Sequence, residues 1–236
     1  MYHNIDHPPQ GARIPNLYVT PRMFGFQMWY LKMAGFHVLS IPDLVAAVDT
    51  GDLRRNSAAV TFDDGYVDFY KNAYPVLKRY GYPSTVFIVS GLVGKDNVWD
   101  SRNENFTKPM MDWKMIIEIR RNGVQIGSHT RTHPELTRIS SDEQNNEISA
   151  SKKDLEERLN HPIDTFCYPG GDHNDQVKEA VKIAGYRYAV TTQRGHVERG
   201  YDPYALRRIP IKLITNPFSF LYKLHTSSEK RKGKQR

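Results

Sequence analysis

The sequence predicts an α/β fold, a single domain whose parallel sheet closes into a barrel with helices outside. Three observations lead there. Short β-branched or apolar runs alternate with helix-patterned segments along most of the chain. At 236 residues the chain can bury one sizeable core. The strand segments number roughly seven, which favours closure over an open sheet, and either architecture puts ligands at the strands' carboxyl ends.

Taken in order, 20–35 reads as a helix, with Thr20 as its cap, Pro21 in its first position and Gly35 just past its end. A short strand at 36–40 precedes a helix at 41–51 that Gly51 closes. The segment 57–62 is one strand, and 66–81 is a helix that Pro75 kinks or divides. The β-branched run at 84–90 is a strand, followed by a long polar connection over 91–110. Helix 111–123, strand 124–128 and a polar amphipathic helix at 140–160 come next, the last with Ile148 and Leu155 among its few apolar positions. Strand 164–168, helix 174–185, strand 186–192, an extended segment at 204–213 and a helix at 217–225 complete the domain.

Composition excludes several classes. The charged fraction of 25% and hydrophobic fraction of 39% are those of an ordinary soluble domain. No apolar run approaches the ~18 residues of a membrane span, and the opening "MYHNIDHPPQG" has neither the basic nor the apolar region of a secretion signal. The lone Cys167 forbids an internal disulfide and leaves the compartment open. Of the net charge of +7, +4 lies in 226–236, which predicts a basic, disordered tail after a domain at 1–225. The body has no basic patch interleaved with aromatics, so a nucleic-acid partner is not expected.

Chemistry concentrates where strands end. Asp63 and Asp64 follow the apolar strand 57–62 directly. Two adjacent carboxylates repel unless they are solvated or a cation stands beside them. After strand 124–128 come His129 and His133, and Pro134 follows. Each pattern alone is an ordinary turn or loop. Both at strand carboxyl ends in one βα chain suggest two imidazoles and one carboxylate around a divalent metal with an open position, the second carboxylate remaining a general base. Gly65 permits the sharp turn this needs.

The segments "TFDDG" (61–65), "SHTRTHP" (128–134) and "FCYPGG" (166–171) resemble three motifs of the polysaccharide deacetylases, the nodulation-deacetylase homology domain of carbohydrate esterase family 4. The resemblance runs in order over nearly the whole chain. It implies a distorted (β/α)7 barrel and metal-dependent removal of N-acetyl groups from N-acetylglucosamine-type sugars in a poly- or oligosaccharide. It implies Asp63 as the base, Asp64, His129 and His133 as ligands of zinc or another divalent ion, and the Gly170 N–H as an oxyanion donor. In place of the usual arginine of the third motif stands Cys167, so Arg207 or Arg208 from "LRRIP" would have to orient the base. The acid is a histidine. Most members carry it near the C-terminus, where this chain offers His225; the circularly permuted poly-N-acetylglucosamine deacetylase branch carries it after the first strand, as in "MYHNID", which points to His3. Loss of its proton would give the alkaline limb of activity, and Asp63 the acid limb. Trp99, Arg208 and Tyr168 are expected to touch substrate, with Trp113 a further aromatic candidate. The resemblance also points to the cell envelope. Two other readings use the same residues: a metal amidohydrolase acting on a small non-sugar amide, and a non-catalytic carbohydrate-binding relative.

Overall fold

The computed structural model describes residues 1–10, 12, 14–99 and 107–226. The expected basic tail and the middle of the 91–110 connection lie outside the described residues. Helix α1 (Pro21–Met33) starts where the Thr20 hydroxyl accepts the Met23 N–H. Strands β1 (His37–Leu39) and β2 (Ser57–Ala59) pair in parallel across α2 (Ile41–Thr50), which ends on a left-handed Gly51.

The main sheet is all parallel and six-stranded. Its order is the chain order: β3 (Thr61–Phe62), β4 (Ser84–Ile88), β5 (Val124–Ser128), β6 (Thr165–Cys167), β7 (Tyr188–Arg194) and β8 (Leu206–Arg208). Outside it pack α3 (Tyr74–Tyr80), α4 (Trp113–Arg121), α5 (Ser141–Leu159), α6 (Asp175–Ile183) and α7 (Pro217–His225). Ile148 and Leu155 of α5 are fully buried, and Ser140 and Glu143 form its reciprocal N-terminal cap. No helix among the described residues is long and apolar enough to cross a membrane.

Three elements differ from expectation. The segment 57–62 is two strands, because the chain leaves the small sheet at Val60 and enters the main one. The helix at 66–81 contains a π-helical stretch, Phe69–Ala73, before α3. Pro75 has no N–H for the regular ladder, and the wider turn precedes it. Of 204–213, only Leu206–Arg208 pairs as a strand.

The seventh position of the barrel is filled by the first residues. Tyr2 N–H donates to Thr61 O at 2.9 Å, and Asp63 N–H donates to Tyr2 O at 3.0 Å. On the other side Met1 N donates to Ile209 O, and Ile211 N–H donates to Met1 O, both at 3.0 Å. The segment thereby joins the β3 edge to the chain beyond β8 in the parallel sense. Tyr2 stacks on Phe62, and Phe24 meets both rings edge-on. Inside the sheet, Phe87, Cys167, Val190 and Leu206 form an apolar floor.

Candidate active site

Asp63 and Asp64 leave β3 in opposite directions. Asp64 adopts a left-handed backbone (φ 75°), and Gly65 follows at φ 86°, where an added Cβ would lie 2.9 Å from Ile88 Cδ1. Of the four non-glycine residues at positive φ among the described residues, three (Asp64, Thr130 and His133) belong to this one site. Such conformations cost about 1–3 kcal/mol each and persist where the surrounding structure imposes them.

The loop after β5 is braced from two sides. Thr130 Oγ1 accepts the His133 N–H at 3.0 Å. Glu147 of α5 accepts the Arg131 and Thr132 N–H groups at 2.8 Å and the Thr132 hydroxyl at 2.7 Å. His129 and His133 thus aim Nε2 at the same oxygen, Asp64 Oδ1, at 3.3 and 3.5 Å. The other His129 ring nitrogen meets Cys167 O at 2.7 Å, the kind of outer contact that fixes a ligating imidazole. Trp99 lies against His133, ring centroids 4.1 Å apart.

Asp63 is gripped by Arg208. The two guanidinium NH groups donate to its two oxygens at 2.6 and 2.8 Å. The same guanidinium donates to Thr191 O and Thr61 Oγ1 and comes within 3.2 Å of Cys167 Sγ. A small side chain at 167 leaves room for an arginine arriving from β8. His3 Nε2 stands 3.7 Å from Asp63 Oδ2, with the His3 side chain 15% exposed to the cleft.

His3, Asp63, Asp64, Trp99, His129 and His133 all line one cleft of about 440 Å³. A family description, "Polysaccharide deacetylase", matches residues 50–189. The chain belongs to the polysaccharide deacetylase family. Its members are hydrolytic deacetylases. The Staphylococcus aureus poly-beta-1,6-N-acetyl-D-glucosamine N-deacetylase is 27% identical over 210 residues, which cover 85% of this chain and 70% of that protein. YxkH of Bacillus subtilis is 31% identical over 213 residues, covering 89% of this chain and 70% of that one. Among solved structures, the Streptococcus pyogenes deacetylase PplD, in complex with acetate, superposes with a TM-score of 0.83 at 29% identity, covering 96% of both chains. The barrel of this polysaccharide deacetylase is therefore that of its solved relatives.

Electrostatics separate the two aspartates. Burial pushes the Asp63 carboxyl up, but Arg208 and then His3 pull harder, and it ends well below the usual carboxylate range. An acid limb set by Asp63 would accordingly lie below that range. Around Asp64 the two imidazoles shift in opposite directions. Burial disfavours charge on His129, yet Cys167 and Asp64 outweigh it and raise its pKa well above the ordinary value. Burial, then the neighbouring His129, pushes His133 down to about 4.

The donor set fits a divalent ion. The three ligand atoms lie within 4.8 Å of one another. Both His–Asp separations match the roughly 3.4 Å edge of a tetrahedron with ~2.1 Å bonds. With Nδ1–H directed at Cys167 O, a neutral His129 would face Asp64 with a lone pair. Only a proton or a cation relieves that opposition.

Not every expected residue arrives. Tyr168 is fully buried, its hydroxyl donating to Tyr204 O at 2.9 Å, so it offers no surface to a ligand. Arg208 is likewise turned inward, onto Asp63 rather than the cleft. Arg207 is exposed on the other face of β8. His225 sits on α1, where Tyr30 Oη meets its Nε2 at 2.8 Å. Trp113 carries the Arg158 guanidinium over its ring. Gly170 (φ 61°) and Trp99 do line the cleft. Sequence reading passed over Glu147, Asn4, Arg194 and Lys212. The last three share the cleft lining, and for Arg194 and Lys212 only their positions at the end of β7 and beyond β8 could have signalled it.

Proposed function

We propose that this chain hydrolyses N-acetyl groups from N-acetylglucosamine units of a poly- or oligosaccharide, with Asp64, His129 and His133 holding one divalent ion, most readily zinc. The observation that carries this reading is the convergence of the Asp63–Arg208 pair, the three-ligand set and His3 at a single cleft. When bound, the ion supplies Lewis acidity toward the acetyl carbonyl and the attacking water. Asp63, kept ionised by Arg208, accepts the proton of that water. Arg208 fixes the carboxylate plane through two bonds and so orients the base. The Gly170 N–H, in the turn beside the cleft, donates to the developing oxyanion. His3, in its protonated form, gives a proton to the departing amine, which otherwise leaves as an unstable anion. Trp99 walls the cleft beside His133 and offers a flat apolar surface to a sugar ring. The relatives named for poly-N-acetylglucosamine support this substrate class.

Acetate release from N-acetylglucosamine oligomers, measured together with metal content, tests the reading. Asp63→Asn should keep its metal and lose about 10²–10⁴-fold in turnover. Loss of metal along with turnover would make Asp63 a ligand. His3→Ala should be impaired and His225→Ala should resemble wild type; the reverse result moves the acid to the C-terminal helix.

A further inference from the structure

The cleft contains a charge arrangement that a neutral sugar polymer does not use. Arg194 ends β7, and Lys212 follows β8; both are half-buried in the cleft lining with Gly170 and Thr192. Thr192 shares their wall, its hydroxyl donating to Gly170 O at 3.1 Å. The arginines that flank the start of β7 and end β8 have acidic partners: Arg187 faces Asp164 at 3.9 Å, and Arg208 holds Asp63. No carboxylate of the described residues lies within ion-pair distance of Arg194 or Lys212. Among the described residues the only acids in the lining are Asp63 and Asp64, and both face partners of their own.

Two cations in one cleft lining, without a counter-charge among the described residues, build a positive potential inside the cleft. An acetylated neutral glycan gives them nothing to pair with. Its deacetylated product is worse matched, since each new ammonium meets like charge. An anionic group beside the reacting sugar reverses both terms. Arginine can grip a phosphate or carboxylate through two parallel N–H bonds, while lysine adds a mobile point charge.

Resting on the deacetylase reading above, we infer that the substrate is a glycan bearing a phosphate or carboxylate next to the N-acetylated sugar, and that Arg194 and Lys212 receive that anion. They are specificity residues, placed at the end of β7 and beyond β8, whereas the reacting groups stand mainly beyond β3 and β5.

Three oligosaccharide probes of matched length test this on the metal-loaded protein: a neutral N-acetylglucosamine oligomer, one with carboxylate-bearing sugars and one with a phosphodiester. Acetate release is measured for wild type and for Arg194→Gln, Lys212→Gln and the double variant. Binding is measured separately by calorimetry in the Asp63→Asn background. Wild type should favour one charged probe over the neutral one by at least about tenfold in kcat/KM, a preference that shrinks as salt rises. The double variant should lose about 10–100-fold of that preference, and Arg194→Lys should retain most of it. The arm preferred tells phosphate from carboxylate. Equal use of all three probes, or a preference that survives the double variant, overturns the inference even though acetate is released. If no probe releases acetate but a charged one binds in an Arg194- and Lys212-dependent manner, the anion site stands and the hydrolytic reading falls. Binding without charge preference also overturns the inference.

Discussion

Asp63 and Asp68 are both buried and both paired with a cation, yet their carboxyls move in opposite directions. Asp63 meets Arg208 through two bonds, and the guanidinium is itself fixed by Thr191, Thr61 and Cys167. The attraction exceeds the burial cost, and the pKa falls. Asp68 receives a single bond from Lys108 at 2.6 Å, and the same ammonium also serves Asn4 Oδ1 at 2.6 Å. Tyr18 and Tyr66 flank that ammonium with their rings. Here burial is the largest influence and the pKa rises in spite of Lys108. Equal formal charge does not mean equal effect: a rigid fork that matches both oxygens lowers an acid's pKa against burial, and a divided point charge does not. The first arrangement suits a proton acceptor. The second suits a strut, tying Asn4, beside His3, to the helix that carries Asp68.

Breaking the stronger pair should have the largest effect. Arg208→Gln strands a buried carboxylate and should cost about 3–5 kcal/mol in denaturant unfolding. The sign with pH follows from the lowered Asp63 pKa. Its stabilisation is complete above the unfolded carboxylate value of about 3.9 and is lost as pH falls through the still lower folded value. Wild type and variant should therefore differ most near neutrality and converge in strong acid. The variant's acid limb of activity should also move up in pH.

The weaker pair should yield less. Lys108→Met should cost about 1–3 kcal/mol, because burial already raises the Asp68 pKa and so eases uptake of a proton. A raised folded pKa means that stability from this group is present at low pH and lost as pH rises, so the deficit should grow from acid toward neutrality. Adding Asp68→Leu should recover most of it; a double variant as weak as the single one would show that the ammonium matters through Asn4 instead. The smallest change expected is at a neutral reference, Asn174→Ala. It removes the cap bond from Val177 N–H at 2.9 Å and should cost about 1 kcal/mol at every pH. A pH-dependent loss there would mean that the acid effects are not specific to the two pairs.

How much was legible from sequence varied with how local the cause was. Asp63, Asp64, His129 and His133 stand beside the strands that position them, and caps such as Thr20 and Ser140 are written within four residues. Tyr168 was misjudged for a general reason. In a parallel strand both faces are buried, so hydrophobicity does not reveal which side chains point inward. Cys167 faces the barrel floor, while Phe166 and Tyr168 face the helix layer. The choice of Arg208 over Arg207 depends on the same parity and was equally hidden. The division of 57–62 at Val60 was unreadable because both halves are apolar and only their partners differ.

The way the barrel closes bears on the order in which this protein can be made. Residues 1–3 are synthesised long before one of their docking edges, 209–211. The opening segment must wait, unpaired on that side, for more than two hundred residues to follow, and such long-range closure is slow compared with local pairing. The three candidate ligands, by contrast, lie within 64–133 and need only β3 to β5 to come together. During synthesis, then, the candidate ligands can assemble before His3 arrives, and under the proposed role of His3 as the acid, hydrolysis would wait until the final seam is shut.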